Sequence, residues 1–423
     1  MKKLLSVVLA LLMLVSCFAF AACGDVEDGA DTGADTGADT GAQGEQITSA
    51  DFKLGVILLH DEFSTYDLNF MNGVEAAKTA LGLSDDQVIM KKNIPESDAC
   101  YEAACDLVDE GCDVIFADSF GHETYMIKAA KEFTDVQFCH ATGTMAHTEG
   151  LANFHNAFAS IYEGRYLAGV AAGLKLNAMI EAGEITAEEA KIGYVGAFTY
   201  AEVMSGYTSF YLGAKSVCPS VTMDVQFTGS WYDETKEKNA AQALIGGDCV
   251  LISQHADSMG APTACEEANV PNVSYNGSTV EDCPNTFIVA SRIDWAPYFK
   301  LICENTMKGE AIPTDWTGTI ATGSVVLTDV NTQAAAEGTA EKLEEVKAGI
   351  LDGSIKVFDT AKDNFITVNG EKLTSYMADV DTDAEFKGDT EVVADGYFHE
   401  SEYRSAPYFN VQIDGITLLN AAY

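Results

Sequence analysis

The residues able to do chemistry gather in five short strings, each just after an apolar run. They are His60-Asp61-Glu62-Phe63-Ser64-Thr65-Tyr66-Asp67, Asp118-Ser119-Phe120-Gly121-His122-Glu123, Gly229-Ser230-Trp231-Tyr232-Asp233, Ser253-Gln254-His255-Ala256-Asp257 and Tyr275-Asn276-Gly277-Ser278. Rings beside amides, hydroxyls and carboxylates suit the recognition of a small molecule whose faces can be stacked and whose edges can be hydrogen-bonded. Simpler roles compete. Phe63, Tyr66, Phe120 and Trp231 could plug the edges of a fold. Gln254, His255 and Asp257 could cap a helix or bridge two lobes. Ser119 stands where a helix cap belongs, Asn276-Gly277 is a turn-forming pair, and Glu123 and Asp233 read as surface or capping residues. The motifs of catalysis are missing: no Gly-x-Ser-x-Gly elbow, no phosphate-binding P-loop, no clustered His/Asp metal motif and no convincing nucleophile–base pair. The expectation is therefore a binding protein with no catalytic residue, metal or cofactor.

The apolar runs that carry these loops alternate with helical patterns. Lys53 to Leu59 is a short run of buried-strand type, and Phe70, Val74, Ala77 and Leu81 mark one face of a following helix. Strands at Val88–Met90, Val114–Ala117 and Val136–Cys139 alternate with helices over 98–110 and 122–133. A helix over 161–176 carries the small-residue stretch Ala168 to Gly173, and the series restarts at Lys191–Val195. It continues with strands at Val221–Phe227, Cys249–Ile252, Asn272–Tyr275 and Phe287–Ala290, and helices over 202–216, 235–245 and 261–268. Repeated β–α–β units with short links predict parallel sheets covered by helices, and two such series predict two lobes with a cleft between them. The predicted organisation is lobe 1 over 49–165 and about 295–315, lobe 2 over 166–294 and about 316–358, and a β-rich C-terminal elaboration over 359–423. In open parallel sheets ligands lie beyond the carboxyl ends of the strands, where these loops fall.

The first residues read as an export leader. Lys2 and Lys3 precede an apolar run from Leu4 to Ala22, followed by Cys23-Gly24 and an abrupt polar turn in composition. The Phe20-Ala21-Ala22-Cys23 junction resembles a bacterial lipobox, so residues 1–22 are expected to be removed and Cys23 lipidated at the outer face of the cell membrane. An uncleaved membrane-spanning helix is the alternative, since the run is about long enough to cross a bilayer. Residues 23–48, with the tandem ADTGADTGADTGA, hold no large apolar cluster and predict a disordered acidic tether of roughly 25–30 Å mean reach. The whole chain has 65 acidic against 24 basic residues, a net charge of −41, and loss of the leader would make it more negative. That charge disfavours nucleic acid and anionic lipid as partners and leaves the lipid anchor as the membrane contact. Nine cysteines of the body, Cys100, Cys105, Cys112, Cys139, Cys218, Cys249, Cys265, Cys283 and Cys303, are scattered without metal-ligand spacing. They read as small buried hydrophobes, with one or two disulfides left open.

Several segments in order resemble the basic membrane protein (BMP) family of substrate-binding lipoproteins, whose characterised members bind purine nucleosides or bases for ABC-type importers. They are STYDLNFMNGVEAA (64–77), IFADSFGHETYM (115–126), IYEGRYLAGVAAGLK (161–175), KIGYVGAFTYAEVMSGYTSFYLGAKSVCP (191–219), TGSWYDETKEKNAAQALI (228–245) and VLISQHADSMGA (250–261). The resemblance implies a type I periplasmic-binding-protein fold, with two doubly wound parallel sheets joined by hinge crossovers. It also implies a purine or nucleoside ligand in the interlobe cleft and an ABC permease as partner. By position it makes Phe63, Tyr66, Phe120 and Trp231 the stacking or enclosing rings, and Ser64, Ser119, Gln254, Asp257 and Asn276 the polar readers. The first loop, Ser64-Thr65-Tyr66-Asp67-Leu68-Asn69-Phe70, departs from the DxSFN-like string of nucleoside-binding members, which leaves base or nucleoside open. A sensor, a binder of a sugar, flavin or signalling molecule, and a surface nucleoside hydrolase are the competing functions.

Overall fold

The computed structural model describes residues 46–380 and 387–423; the predicted leader, Cys23 and nearly all of the tether lie outside the described residues. From Ile47, whose N–H donates to Met307 O at 3.0 Å, the chain is tied to the folded body.

Two sheets are built in the same order. In the first lobe, β1 (Leu54–Ile57), β2 (Val88–Lys91), β3 (Val114–Ala117), β4 (Gln137–Ala141) and β5 (Phe154–Ala159) alternate with α1 (Thr65–Leu81), α2 (Asp98–Asp109), α3 (Glu123–Glu132) and the short α4 (Ala146–Glu149). In the second, α5 (Ile161–Glu181) leads into β6 (Lys191–Gly196), α6 (Ala201–Val217), β7 (Thr222–Phe227), α7 (Glu234–Gly246), β8 (Leu251–His255), α8 (Gly260–Ala268), β9 (Asn272–Tyr275) and β10 (Phe287–Ile293). The chain then adds α9 (Ala296–Lys308), β11 (Asp315–Gly318), β12 (Val325–Leu327) and α10 (Thr339–Leu351). The strand orders are β11-β5-β4-β3-β1-β2 and β12-β10-β9-β8-β6-β7, the latter extended beyond β7 by Ile416–Leu418. All pairings among these strands are parallel except β10 with β12. The central strands β1, β3 and β8 are buried on both faces, which is why they read as continuous apolar runs rather than alternating ones. This is the expected α/β architecture of two doubly wound parallel sheets.

Three connections join the lobes: β5 to α5, β10 to α9, and β11 to β12. Helix α9 packs on α1 of the first lobe, and β11 pairs with β5, so the third crossing falls between Gly318 and Val325. Phe70 of α1 stacks on the buried Trp295 ahead of α9, with ring centroids 4.4 Å apart. Gly73, one turn along, is forced by the same contact, because a Cβ there would lie 2.7 Å from Trp295 Cβ. The small-residue stretch of α5 meets α6 in a reciprocal backbone contact. A Cβ on Gly169 would fall 1.9 Å from Phe210 O, and one on Gly213 would fall 2.0 Å from Tyr166 O.

The C-terminal region holds three short antiparallel ladders, and its last strand does more than elaborate. Ile416–Leu418 pairs in parallel with Met223–Val225 and becomes an edge of the second sheet. The nine described cysteines are all unpaired, eight of them buried. Among the described residues no helix is long and apolar enough to cross a membrane.

Candidate functional site

In both sheets the chain steps outward in opposite directions from its first strand, giving switch points between β1 and β3 and between β6 and β8. Loops diverge at the carboxyl ends of such pairs and leave a crevice. The two crevices face one another across one narrow cavity of about 20 Å³. Leu59, His60, Tyr66, Ser119, Phe120 and Thr142 line it from the first lobe; Glu202, Trp231, His255, Asp257 and Tyr275 line it from the second.

The lobes touch around this cavity. Thr65 N–H and Oγ1 both donate to Asp257 O, at 3.2 and 3.3 Å, and Asn69 Nδ2 donates to Asn276 O at 2.8 Å. Rings also meet across the cleft: His60 lies 5.5 Å from Tyr232, and Phe120 lies 5.8 Å from Tyr200. On the second lobe Tyr200, Phe198 and Trp231 form a cluster, with Phe198 stacked on Tyr200 and edge-on to Trp231. Behind Tyr275 sits Arg165, fully buried, with its guanidinium on Tyr194 Oη (3.0 Å), Ser253 Oγ (2.8 Å) and Ser274 O (3.3 Å), and 4.8–5.1 Å from the Phe210 and Tyr275 rings. These contacts hold the second-lobe wall in place.

Of the nine ligand-binding candidates, the cavity brings together Tyr66, Ser119, Phe120, Trp231 and Asp257. Tyr66 Oη donates to Asp118 O at 2.8 Å, and Ser119 Oγ donates to Glu96 Oε1 at 2.6 Å. The other four lie elsewhere. Phe63 is 73% exposed and outside the cavity. Ser64 is the N-cap of α1, its Oγ accepting from Asp67 N and donating to Asp67 Oδ2. Gln254 is buried in the second lobe, where its Oε1 accepts from Asn272 Nδ2. Asn276 sits behind the lining at φ +64, a left-handed turn position that Asn tolerates, and its Nδ2 donates to Asp257 Oδ1 at 3.1 Å. Asp233 caps α7, whereas Glu123 is no surface residue. It is buried, and its Oε1 accepts from Thr144 N, Met145 N and Asn156 Nδ2.

Burial dominates the electrostatics. It pushes the Asp257 carboxyl well above the usual carboxylate range, with Glu237 and Asp67 adding negative charge. Burial likewise raises Asp118, helped by the nearby charge of Asp67. For Asp67 burial acts upward too, but hydrogen bonds from His60, Asp118 and Ser64 together hold it below its ordinary value. Burial lowers His255 despite Glu202 at 3.4 Å, and depresses His122 and His140 to about 4, so these rings are neutral hydrogen-bonding groups. No group of three or more His, Cys, Asp or Glu among the described residues is arranged to hold a metal. The cavity therefore offers ring faces, polar edges and two carboxyls, of which Asp257 is biased toward its protonated form.

The profile of the Bmp family, described as ABC transporter substrate-binding protein PnrA-like, matches residues 63–359. The chain belongs to this family. A purine-binding protein of Brucella abortus is 30% identical over 271 residues, covering 63% of this chain and 71% of that one. A protein of Haloferax volcanii named as an ABC transporter glucose-binding protein is 28% identical over 274 residues, covering 64% of this chain and 65% of that one, just under two thirds of its length. Among solved structures, an ABC transporter solute-binding protein from Conexibacter woesei superposes with a TM-score of 0.59 at 18% identity, covering 74% of this chain and 99% of that one, a likeness of fold.

The lining also holds six residues that are not among the nine candidates for this Bmp-family member: Leu59, His60, Thr142, Glu202, His255 and Tyr275. His60, His255 and Tyr275 stood inside the strings already singled out, at the carboxyl ends of β1, β8 and β9. Thr142 follows β4 at φ +64, and Glu202 lies in the first turn of α6. Position after a strand end was the signal that could have found them. The Bmp family is one of transporter binding components, not of enzymes.

Proposed function

We propose that this protein captures a purine base or nucleoside in the interlobe cleft and delivers it to an ABC permease, from the extracytoplasmic face of the cell membrane to which Cys23 anchors it. The observation that carries the reading is the cleft: aromatic rings from both lobes converge on one cavity, with Asp257 and Ser119 at its edge. Trp231 and Phe120 suit the faces of a flat heterocycle. Asp257, biased by burial toward its neutral form, can donate as well as accept, which matches the mixed donor and acceptor edge of a purine. The similarity to the purine-binding protein of Brucella abortus supports the same ligand class. Closure follows from a ligand that touches both walls at once.

A sugar is the second reading, favoured by the name of the Haloferax volcanii relative and by the fact that rings also stack on pyranoses. Isothermal titration of the folded body against purine bases, their nucleosides, riboflavin and hexoses separates them. Saturable heat with a base or nucleoside and none with hexoses supports the purine reading; the reverse overturns it. Release of free base and sugar from a nucleoside would point instead to hydrolysis.

A further inference from the structure

The chain beyond residue 359, outside the span of the family match, comes back to the connections between the lobes. Glu400 and Ser401, neighbours in sequence, face opposite lobes. The Glu400 carboxyl accepts from Ser205 Oγ of α6, in the second lobe, at 2.6 Å. The carbonyl of Ser401 accepts from Thr317 Oγ1 of β11, in the first lobe, at 3.4 Å. Four residues on, the Ser405 N–H donates to Asp315 Oδ2, also of β11, at 2.9 Å. Asp315 and Thr317 stand just before the third crossing, which leaves β11 at Gly318. The first crossing is covered as well. Tyr162, in the first turn of α5, lies 5.3 Å from Phe358, and Phe358 stacks on Phe409 with ring centroids 4.5 Å apart.

The segment that makes these contacts is stiff. Tyr408 Oη donates to His399 O and accepts from Glu402 N and Tyr403 N, at 3.1 and 3.3 Å, so one buried phenol closes the loop from 399 to 408. Ser401 holds φ +61, a left-handed conformation that serine adopts only at a cost, and the surrounding bonds keep it there. The far end of the segment is fixed to the second lobe through Ile416–Leu418 on β7. Rotation of one lobe on the other carries β11 away from α6, and a short stiff loop cannot follow both. Its bonds to one lobe must then break. We propose that residues 399–409 form a strap across the hinge that favours the joined lobe arrangement and limits how far the cleft opens. This inference goes beyond the ligand reading and does not depend on it.

The Thr65 amide is a local reporter of opening, because its hydrogen bond runs to Asp257 O of the other lobe. Hydrogen exchange at that amide and small-angle scattering are measured on the full folded body, emptied of small molecules. The double variant Asp315→Ala, Thr317→Val cuts the strap from the first lobe. Its Thr65 amide should exchange roughly 5- to 25-fold faster than wild type, the range for one to two hydrogen bonds, and its radius of gyration should rise. Amides of the central strands β3 and β8 should keep their wild-type rates. Asp315→Asn, which retains an acceptor for the Ser405 N–H, should stay near wild type. Tyr376→Phe, which removes only a bond to Asn410 O within the C-terminal region, should do the same. Wild-type exchange at Thr65 and an unchanged radius of gyration in the double variant overturn the strap. Equal acceleration at Thr65, β3 and β8 also overturns it, because that is loosening of the whole fold rather than opening of the hinge. So does a Tyr376→Phe protein that opens as far as the double variant.

Discussion

The backbone N–H of Thr65, in the first turn of α1, donates to the carbonyl oxygen of Asp257 in the opposite lobe at 3.2 Å. The first lobe is thereby clipped to the second at the residue whose side chain enters the cavity, and Asn69 repeats the clip one turn later on Asn276 O. Loop, helix start and cleft residue are one mechanical unit. A ligand that touches Tyr66 and Asp257 would stabilise the same lobe arrangement that these bonds stabilise.

Removing the second clip should loosen closure without disturbing either lobe. Asn69→Ala deletes one buried hydrogen bond, worth about 1 kcal/mol, or roughly a five-fold weaker Kd. Calorimetry should show that loss, and small-angle scattering should show a larger radius of gyration for the ligand-free variant. An unchanged Kd and an unchanged scattering profile would exclude a role for the clip.

The cavity rings and the exposed ring of the first loop should behave differently. Trp231→Ala or Phe120→Ala removes a wall of the cavity and should weaken ligand binding roughly 5- to 150-fold, from about 1–3 kcal/mol per stacked base. Phe63→Ala should leave affinity unchanged, since that side chain is turned to solvent. A loss at Phe63 equal to that at Trp231 would mean the ligand sits outside the cavity.

How much of this was legible beforehand depends on the range of the contacts involved. The βαβ series was readable because each strand and helix carries its own period, and the crevice followed from where the strand ends fall. Phe63 and Ser64 fall outside the cavity because Ser64, in the Ser64-x-x-Asp67 capping pattern, starts the helix there. Once Ser64 caps at Thr65, Phe63 is directed outward and Tyr66 inward. The buried Glu123 could not be distinguished from a first-turn surface acid, because its partners Thr144, Met145 and Asn156 lie 21 to 33 residues away. Ile416–Leu418 is three residues long and finds its place only by pairing with β7, nearly two hundred residues earlier.

The contact of α6 with α5 offers a packing test, one side of which was visible as the small-residue stretch of α5. Gly213→Ala places a methyl group against the backbone carbonyl of Tyr166, so a helix must move. Overpacking of this kind costs about 1–3 kcal/mol, which a thermal melt should register as a lower Tm. Gly246→Ala, where a Cβ meets nothing within 4 Å, serves as the control with no such loss.

Glu400 gives a pH prediction with a definite sign. Burial raises its carboxyl to about 7, so the folded state holds a proton that the unfolded chain has released. That stabilisation is fully present below the ordinary glutamate range and disappears as pH rises through about 7. Buried His122, His140 and His155, each lowered to about 4, act in the opposite sense below their ordinary value, so the wild-type profile alone is a composite. The difference between Glu400→Gln and wild type isolates the group. The variant should match wild type near pH 4 and become the more stable of the two near pH 8, by denaturant titration at each pH. A difference independent of pH would contradict the assignment.

The central claim is that the cleft holds a purine. Native mass spectrometry of the protein as purified, followed by denaturation and identification of the released small molecule, tests it most directly. A purine base or nucleoside, returned on titration to the emptied protein and lost in Trp231→Ala, is the predicted result; a hexose in its place, with no response to any purine, would contradict it.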